Sequence, residues 1–402
     1  FLEEMGRGLR GEETPVMMLP TYLTLEGELP RDRSVIVVDA GGTNFRSAVV
    51  TMTAGGPVIE DLTVQPMPGS RGAVTKEAFL DQVSDILLPL TGKSRRVGLC
   101  FSYAAEILPN RDGRVVAISK QVQITGSEGM LLGEEISAAL AAKGAPGVEF
   151  VVLNDTVAAV LGGVAGLEDE VFDGYAGLIY GTGVNTCYSE RRENIAKLST
   201  PWPAASMLIN MESGGFCGVP QGTFDRRLDA GSMDAGKCLY EKMVSGRYQG
   251  EVIYHALRQG AEDGLFSSGL ADTLRALDGL ELVEADAFAA RPYGGGLLSA
   301  ACGSERDREL VYTIIDRSVE RAARLVCCNL AAVLEQADLG RSIHRPACVV
   351  AEGSTFYKGY LFRRKLERLC HTYITEELGR HLVFRRVENA NLLGTAAAAL
   401  LA

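Results

Sequence analysis

Short uninterrupted apolar runs alternate along this chain with stretches whose apolar residues recur every three or four positions. The first habit belongs to strands buried on both faces, the second to helices with one buried face. Val35-Ile36-Val37-Val38 is a run of the first kind. It ends in Asp39, then Gly41-Gly42-Thr43-Asn44 and a second apolar run. Glu77 to Leu88 places Phe79, Leu80, Val83, Ile86 and Leu87 on one helical face. Arg96 to Ser102 and Glu149 to Leu153 read as strands. The second ends at Asn154-Asp155-Thr156, ahead of a helix over Val157 to Val164. Ala176 to Tyr180 is a further strand, followed by Gly181-Thr182-Gly183-Val184-Asn185 and a strand through Cys187-Tyr188. Arg317 to Gln336 reads as a long helix, Pro346 to Ala351 as a strand running into Glu352-Gly353-Ser354, and Lys358 to Glu376 as a helix. Between about Gly260 and Gly303 the pattern is weak and marks no site.

The alternation predicts an α/β architecture. The unit of strand, glycine turn and strand occurs twice, which predicts two similar half-structures facing one another.

Composition narrows the class. A chain of 402 residues is too long for one compact core, so two domains are expected. Its 47% hydrophobic and 23% charged residues suit a globular enzyme. The net charge of −11 argues against nucleic acid and anionic membranes as partners. No apolar run approaches the ~20 residues that span a bilayer, and no secretory signal pattern stands out. Nine cysteines are scattered without a C-x-x-C pair, several in apolar runs. They predict reduced, buried thiols in a cytoplasmic protein and no zinc site. The four histidines fall in no ligand or catalytic spacing.

The chemistry lies at strand ends. Two glycines in a tight turn let a ligand approach the backbone, and the exposed N–H groups of such a turn form an anion nest. With Asp39 beside it, the first turn reads as a phosphate loop for a magnesium nucleotide; the plain alternative is a Gly-Gly hairpin. Thr91-Gly92-Lys93-Ser94 mimics the end of a P-loop, but its upstream glycine is missing and it follows a helix. It reads as the turn after that helix. Asp155, at a strand's carboxyl end, is placed either to accept a proton from a hydroxyl or to cap the helix that follows. Glu212, before Gly214-Gly215, stands either where solvent and ligand meet or simply as a solvated carboxylate at a turn. Glu241 by itself reads as an exposed helix residue beside a lysine, and Ser119-Lys120 as a solvated pair.

Taken together, DAGGTNFR, SKQV, LNDTVAAV, GTGVNTCYSE, INMESGGF, LYEKMVSGRYQGE and AEGSTFYK stand in an order that resembles the hexokinase family, the eukaryotic-type sugar kinases of the actin-like ATPase superfamily. The resemblance runs from Met17-Met18-Leu19-Pro20-Thr21-Tyr22 to Asn391-Leu392-Leu393-Gly394-Thr395-Ala396. It implies a two-lobed actin-like (ribonuclease H-like) fold with an interlobe cleft. The small lobe would be 34–153 with 392–402, and the large lobe 1–33 with 154–391. It implies ATP with Mg²⁺ and a hexose, glucose by default with mannose, fructose or glucosamine open, phosphorylated at its 6-hydroxyl. Asp155 would be the general base, with Lys120 beside the transferring group. The sugar pocket would comprise Ser102, Ser119, Lys120, Asn154, Asp155, Asn185, Glu212 and Glu241. ATP would meet Asp39, Gly42, Thr43, Asn44 and Arg46 in the first loop, Gly181, Thr182 and Gly183 in the second, and Gly353-Ser354 on the adenosine side. Asp39 would hold Mg²⁺ through water. The chain departs from the family at Ala40, usually Leu, and at Ser119, usually Thr. It also has Tyr103-Ala104 for Phe-Pro and Ser213 for Trp, which border the sugar. The alternative reading is a sugar sensor of the same fold without turnover. The oligomeric state is not read from the sequence.

Overall fold

The computed structural model of the chain describes every residue except Thr43 and residues 119–121. Among the described residues, two main sheets share one five-strand topology, and one of them carries a sixth, two-residue strand. In the first half, β1 (Ser34–Gly41), β2 (Asn44–Thr53) and β3 (Gly56–Pro66) form an antiparallel meander. β4 (Arg96–Phe101) then adds parallel to β1, and β5 (Glu149–Leu153) adds parallel to β4. In the second half, β6 (Gly174–Tyr180), β7 (Val184–Arg191) and β8 (Ser206–Asn210) repeat the meander. β9 (Ala347–Glu352) adds parallel to β6, and β10 (Leu382–Arg385) to β9. The two-residue strand Leu19–Pro20 borders β8. The two similar halves expected from the repeated glycine-turn unit are therefore present.

The fifth strand of each half runs into a helix, Asp155–Gly166 after β5 and Ala390–Leu401 after β10, and these two helices pack together between the sheets. Strand periodicity explains the layering. Val35 and Val37 of β1 face this central core, together with Cys100, Leu153, Val350 and Leu393. Ile36, Val38 and Ala40 point to the opposite face, against Phe79, Val83, Ile136 and Leu140 of the outer helices. That is why Val35–Val38 is uninterruptedly apolar: it is covered on both sides.

The helix pair crosses closely because glycine lies at the contact. A Cβ on Gly394 would stand 1.8 Å from the Ala158 carbonyl oxygen, and one on Gly162 would stand 2.3 Å from that of Ala390.

Three expectations from the chain pattern change. The long helix begins twelve residues before Arg317, at Glu305, where Ser304 Oγ accepts a hydrogen bond from Asp307 N at 3.1 Å. Its first turns are too polar to show an apolar face. The helix expected from Lys358 to Glu376 is broken into Ser354–Lys358, Phe362–Leu369 and a π-helical stretch, Cys370–Glu377. The weakly patterned region between Gly260 and Gly303 is helical, with Ser268–Ala276, Leu282–Ala290 and Leu297–Ala301. Most cysteines are buried, but Cys217 and Cys238 are only half-buried and Cys328 is exposed. No helix among the described residues is long and apolar enough to cross a membrane.

Gly394→Ala is expected to destabilise the fold by about 1–3 kcal/mol or more through overpacking against a fixed carbonyl. Gly231→Ala, where a Cβ meets nothing within 4 Å, is the neutral control. Denaturant unfolding of both variants checks the difference.

Candidate active site

The ends of both meanders and the start of the helix Asp155–Gly166 converge on one cleft. In the first half, β1 and β2 join at a tight turn in which Gly41 pairs with Asn44 and Gly42 takes a left-handed φ of 56°. Asp39, buried near the end of β1, pairs with the Arg46 guanidinium across the ladder. Asn44 is exposed at the turn. In the second half, β6 and β7 join through Gly181-Thr182-Gly183, with Gly181 N donating to Gly183 O at 3.0 Å. Gly353 crosses this turn so closely that a Cβ there would lie 2.2 Å from Tyr180 O. Ser354 follows it at the start of the helix Ser354–Lys358. Both glycine turns and the Gly353-Ser354 corner thus frame the cleft; Thr43, Ser119 and Lys120 lie outside the described residues.

The carboxylate side is a hydrogen-bonded ring. Glu212 takes a left-handed φ of 53°, a conformation that costs a non-glycine residue about 1–3 kcal/mol and is held only by its surroundings. Its Oε1 accepts from Asn210 Nδ2 at 2.7 Å and from Asn185 Nδ2 at 3.3 Å. Asn185 also donates to Asn210 Oδ1 at 2.8 Å, and its own Oδ1 accepts from Thr186 N and Ser213 N at 2.7 and 3.2 Å. Every amide orientation is thereby fixed by a partner. Glu241 Oε2 accepts from Val184 N at 3.1 Å, so this carboxylate leans on the second glycine turn.

Asp155 stands between the two sides. The helix cap is Asn154, whose Oδ1 accepts from Thr156 N at 3.0 Å and from Thr156 Oγ1 at 2.6 Å. The capping role, one of the two readings of Asp155, thus falls to Asn154, and the Asp155 carboxylate meets the Ser102 hydroxyl and the Thr156 N–H. Asn154 correspondingly commits its acceptor to the backbone. The Asp155 carboxyl is raised to about 7, chiefly by burial, with the charges of Asp39 and Glu212 adding to the rise. The Ser102 hydroxyl and Thr156 N–H pull it back. Glu212, Glu241 and Glu352 are also raised, each chiefly by burial.

Two other expectations change. Glu241 is half-buried rather than exposed, and the lysine beside it is 2% exposed. Lys242 Nζ donates to Asp229 Oδ1 at 2.7 Å, Ser232 Oγ at 2.9 Å and the Asp234 carbonyl at 2.9 Å, which pins the Glu241 helix from behind. Ser213, expected at the border of the pocket, is fully buried and contacts Thr186 Oγ1 at 3.1 Å behind the ring.

Beside the second glycine turn opens a cavity of about 920 Å³, lined by Thr182, Arg247, Ser354, Thr355 and Lys358 on one side and by Asp278 to Glu284 on another. Its size suits a nucleoside. Its wall includes the region from 278 to 284, which carries no local sequence signal. Arg247 and Asn210 also escaped notice, although both lie inside the motifs SGRYQGE and INMESGGF. As to magnesium, no group of three or more His, Cys, Asp or Glu among the described residues could cage an ion. Asp39, one carboxylate next to a glycine turn, fits an ion that arrives on phosphate and keeps most of its waters.

Similarity to known proteins agrees with this geometry. A family model described as Hexokinase matches residues 175–401, and a second one matches residues 1–164. Hexokinase-3 of Mus musculus is 30% identical over 375 residues, 89% of this chain and 40% of that protein. The chain thus spans about two-fifths of the length of that relative. Hexokinase-1 of Schizosaccharomyces pombe is 27% identical over 98% of this chain and 85% of its own. A hexokinase from Schistosoma mansoni complexed with glucose shares the fold, with a TM-score of 0.79 and 23% identity over 99% of this chain and 93% of that one.

The raised carboxyl makes a stability prediction. A folded-state value of about 7 against an ordinary 3.8 means that Asp155 destabilises the fold once ionised; its favourable contribution is complete below 3.8 and lost as pH rises through 7. Asp155→Asn should therefore melt a few degrees higher than the parent at pH 8, and the gap should close near pH 4. Thermal melts across that range check it.

Proposed function

Because the chain belongs to the hexokinase family, we propose that it is an ATP-dependent hexose kinase, transferring the γ-phosphoryl group to the 6-hydroxyl of glucose or a related hexose. The observation that carries this reading is the position of Asp155: one neighbouring carboxylate, Asp39, belongs to a phosphate-type turn, and the other, Glu212, to an amide–carboxylate ring suited to vicinal hydroxyls.

In this reading the ring comprises Asn185, Glu212 and Glu241, with Ser102, Asn154 and Ser119 completing the contacts. It orients the sugar by accepting hydroxyl protons, and charged acceptors strengthen those bonds. The 6-oxygen attacks the γ-phosphorus, its proton passes to an Asp155 oxygen, and the bond to the β-phosphate oxygen breaks to release ADP. A base near neutrality is matched to this step and contributes roughly 10²–10⁴ in rate. Magnesium, when bound with the nucleotide, neutralises charge on its phosphate oxygens. Gly42, Thr43, Asn44, Gly181, Thr182 and Gly183 offer backbone and side-chain donors to the phosphates. Arg46 holds Asp39, and Lys120, matched by motif, offsets charge on the transferring group. The nucleoside would occupy the cavity beside Gly353-Ser354. The two lobes, 34–153 with 392–402 and 1–33 with 154–391, would close around the substrates and exclude water.

The deciding experiment is ADP release from Mg-ATP against a panel of hexoses with 6-deoxyglucose as control. Turnover with a hexose and none with the 6-deoxy sugar is expected; a folded protein that binds glucose without releasing ADP would favour the sensor reading instead. Asp155→Ala should lower kcat by about 10²-fold or more with the fold intact. The acid limb of kcat/KM should bend near pH 7, since the base works only when deprotonated.

A further inference from the structure

Tyr103 ties together two loops to which the kinase reading assigns different substrates. Its ring is 7% exposed and meets Phe101 edge-on, with centroids 5.1 Å apart. Its hydroxyl donates to the carbonyl of Gly42 in the first glycine turn. One residue earlier, Ser102 N donates to Ala40 O at 3.2 Å. A Cβ on Gly41 would stand 3.0 Å from Ser102 Oγ and 3.4 Å from Asp39 Oδ1. Ser102 and Tyr103 therefore touch three successive positions of the turn, while the Ser102 hydroxyl also interacts with Asp155.

Gly42 needs such a tether. It lies in the left-handed region, and a Cβ there would meet nothing within 4 Å, so side-chain packing does not hold it. Glycine has more conformations to lose than any other residue, and one directed hydrogen bond selects among them. Burial pushes the Tyr103 phenol up to about 12, so the group remains a proton donor throughout the working pH range.

Resting on the kinase reading, we propose that Tyr103 is a positioning residue that couples occupancy of the sugar pocket, sensed at Ser102, to the geometry of the phosphate turn at Gly42. It thereby sets nucleotide affinity in the sugar-bound state rather than the choice of hexose.

Tyr103→Phe removes one oxygen and keeps the ring. The affinity for Mg-AMPPNP is measured by calorimetry with and without saturating glucose, alongside KM for each substrate and the thermal midpoint. A single neutral hydrogen bond is worth about fivefold. The variant should melt close to the parent and raise KM for Mg-ATP about fivefold. It should lose most of the glucose-induced gain in nucleotide affinity and, by reciprocity, the same factor of the nucleotide-induced gain in glucose affinity, while the affinity for glucose alone stays within about twofold. Unchanged nucleotide affinity and coupling, or a shift confined to the hexose KM, would overturn the proposal. The two readings separate cleanly. If the parent phosphorylates a hexose and the variant matches it, the tether fails and the kinase reading stands. If the parent binds both ligands without turnover and the variant loses their coupling, the tether stands and the kinase reading fails. A parent that binds neither ligand overturns both.

Discussion

The distance between the two halves is set by one contact, the crossing of the helices Asp155–Gly166 and Ala390–Leu401 at Gly162 and Gly394. Each helix follows a fifth strand, after one residue in the first half and four in the second, so the crossing ties both sheets together. Asp155 is the first residue of one of these helices, and the glycine turns are the ends of strands packed on them. Every separation in the cleft therefore depends on carbonyl oxygens lying where a methyl group would not fit. Interiors this tightly packed move as units rather than deform, and closure of the cleft would have to rotate the halves about this layer.

The cleft concentrates acids that the fold does not neutralise. Asp39 has Arg46 and Glu241 feels the charge of Arg247, but Asp155 and Glu212 have hydroxyl, amide and backbone partners instead of cations among the described residues. The contrast with Lys242 is informative. That buried ammonium is matched by Asp229 and Asp234, as a purely structural charge should be. Buried charges left to neutral partners mark the place where the sequence serves a ligand rather than stability.

Much of this was legible in the chain. Val35–Val38 announces a doubly covered strand, the two glycine turns announce paired halves, and the ordered motifs bring Asp39, Asp155, Asn185, Glu212 and Glu241 to one cleft. What escaped depends on tertiary neighbours. Glu241 and Lys242 look like an exposed pair, because nothing local reveals the loop from Asp229 to Asp234 that buries the lysine. Asn154 and Asp155 are both good caps, and only the backbone geometry assigns the role to Asn154. The cavity wall from Asp278 to Glu284 has no motif at all, because its contribution is shape. The direction of the Tyr103 hydroxyl is likewise invisible until Gly42 is placed opposite it.

The raised pKa values of Glu212 and Glu241 have a consequence for ligand binding itself. Burial leaves these groups holding on to protons more firmly than free carboxylates do. A polyhydroxyl ligand that donates hydrogen bonds to them favours their ionised forms. In a medium acid enough to protonate them, association would expel protons into the solvent, and the ligand would compete with hydrogen ions for the same oxygens. The measured heat of binding would vary with the ionisation enthalpy of the buffer, and affinity would weaken steadily as the medium is acidified.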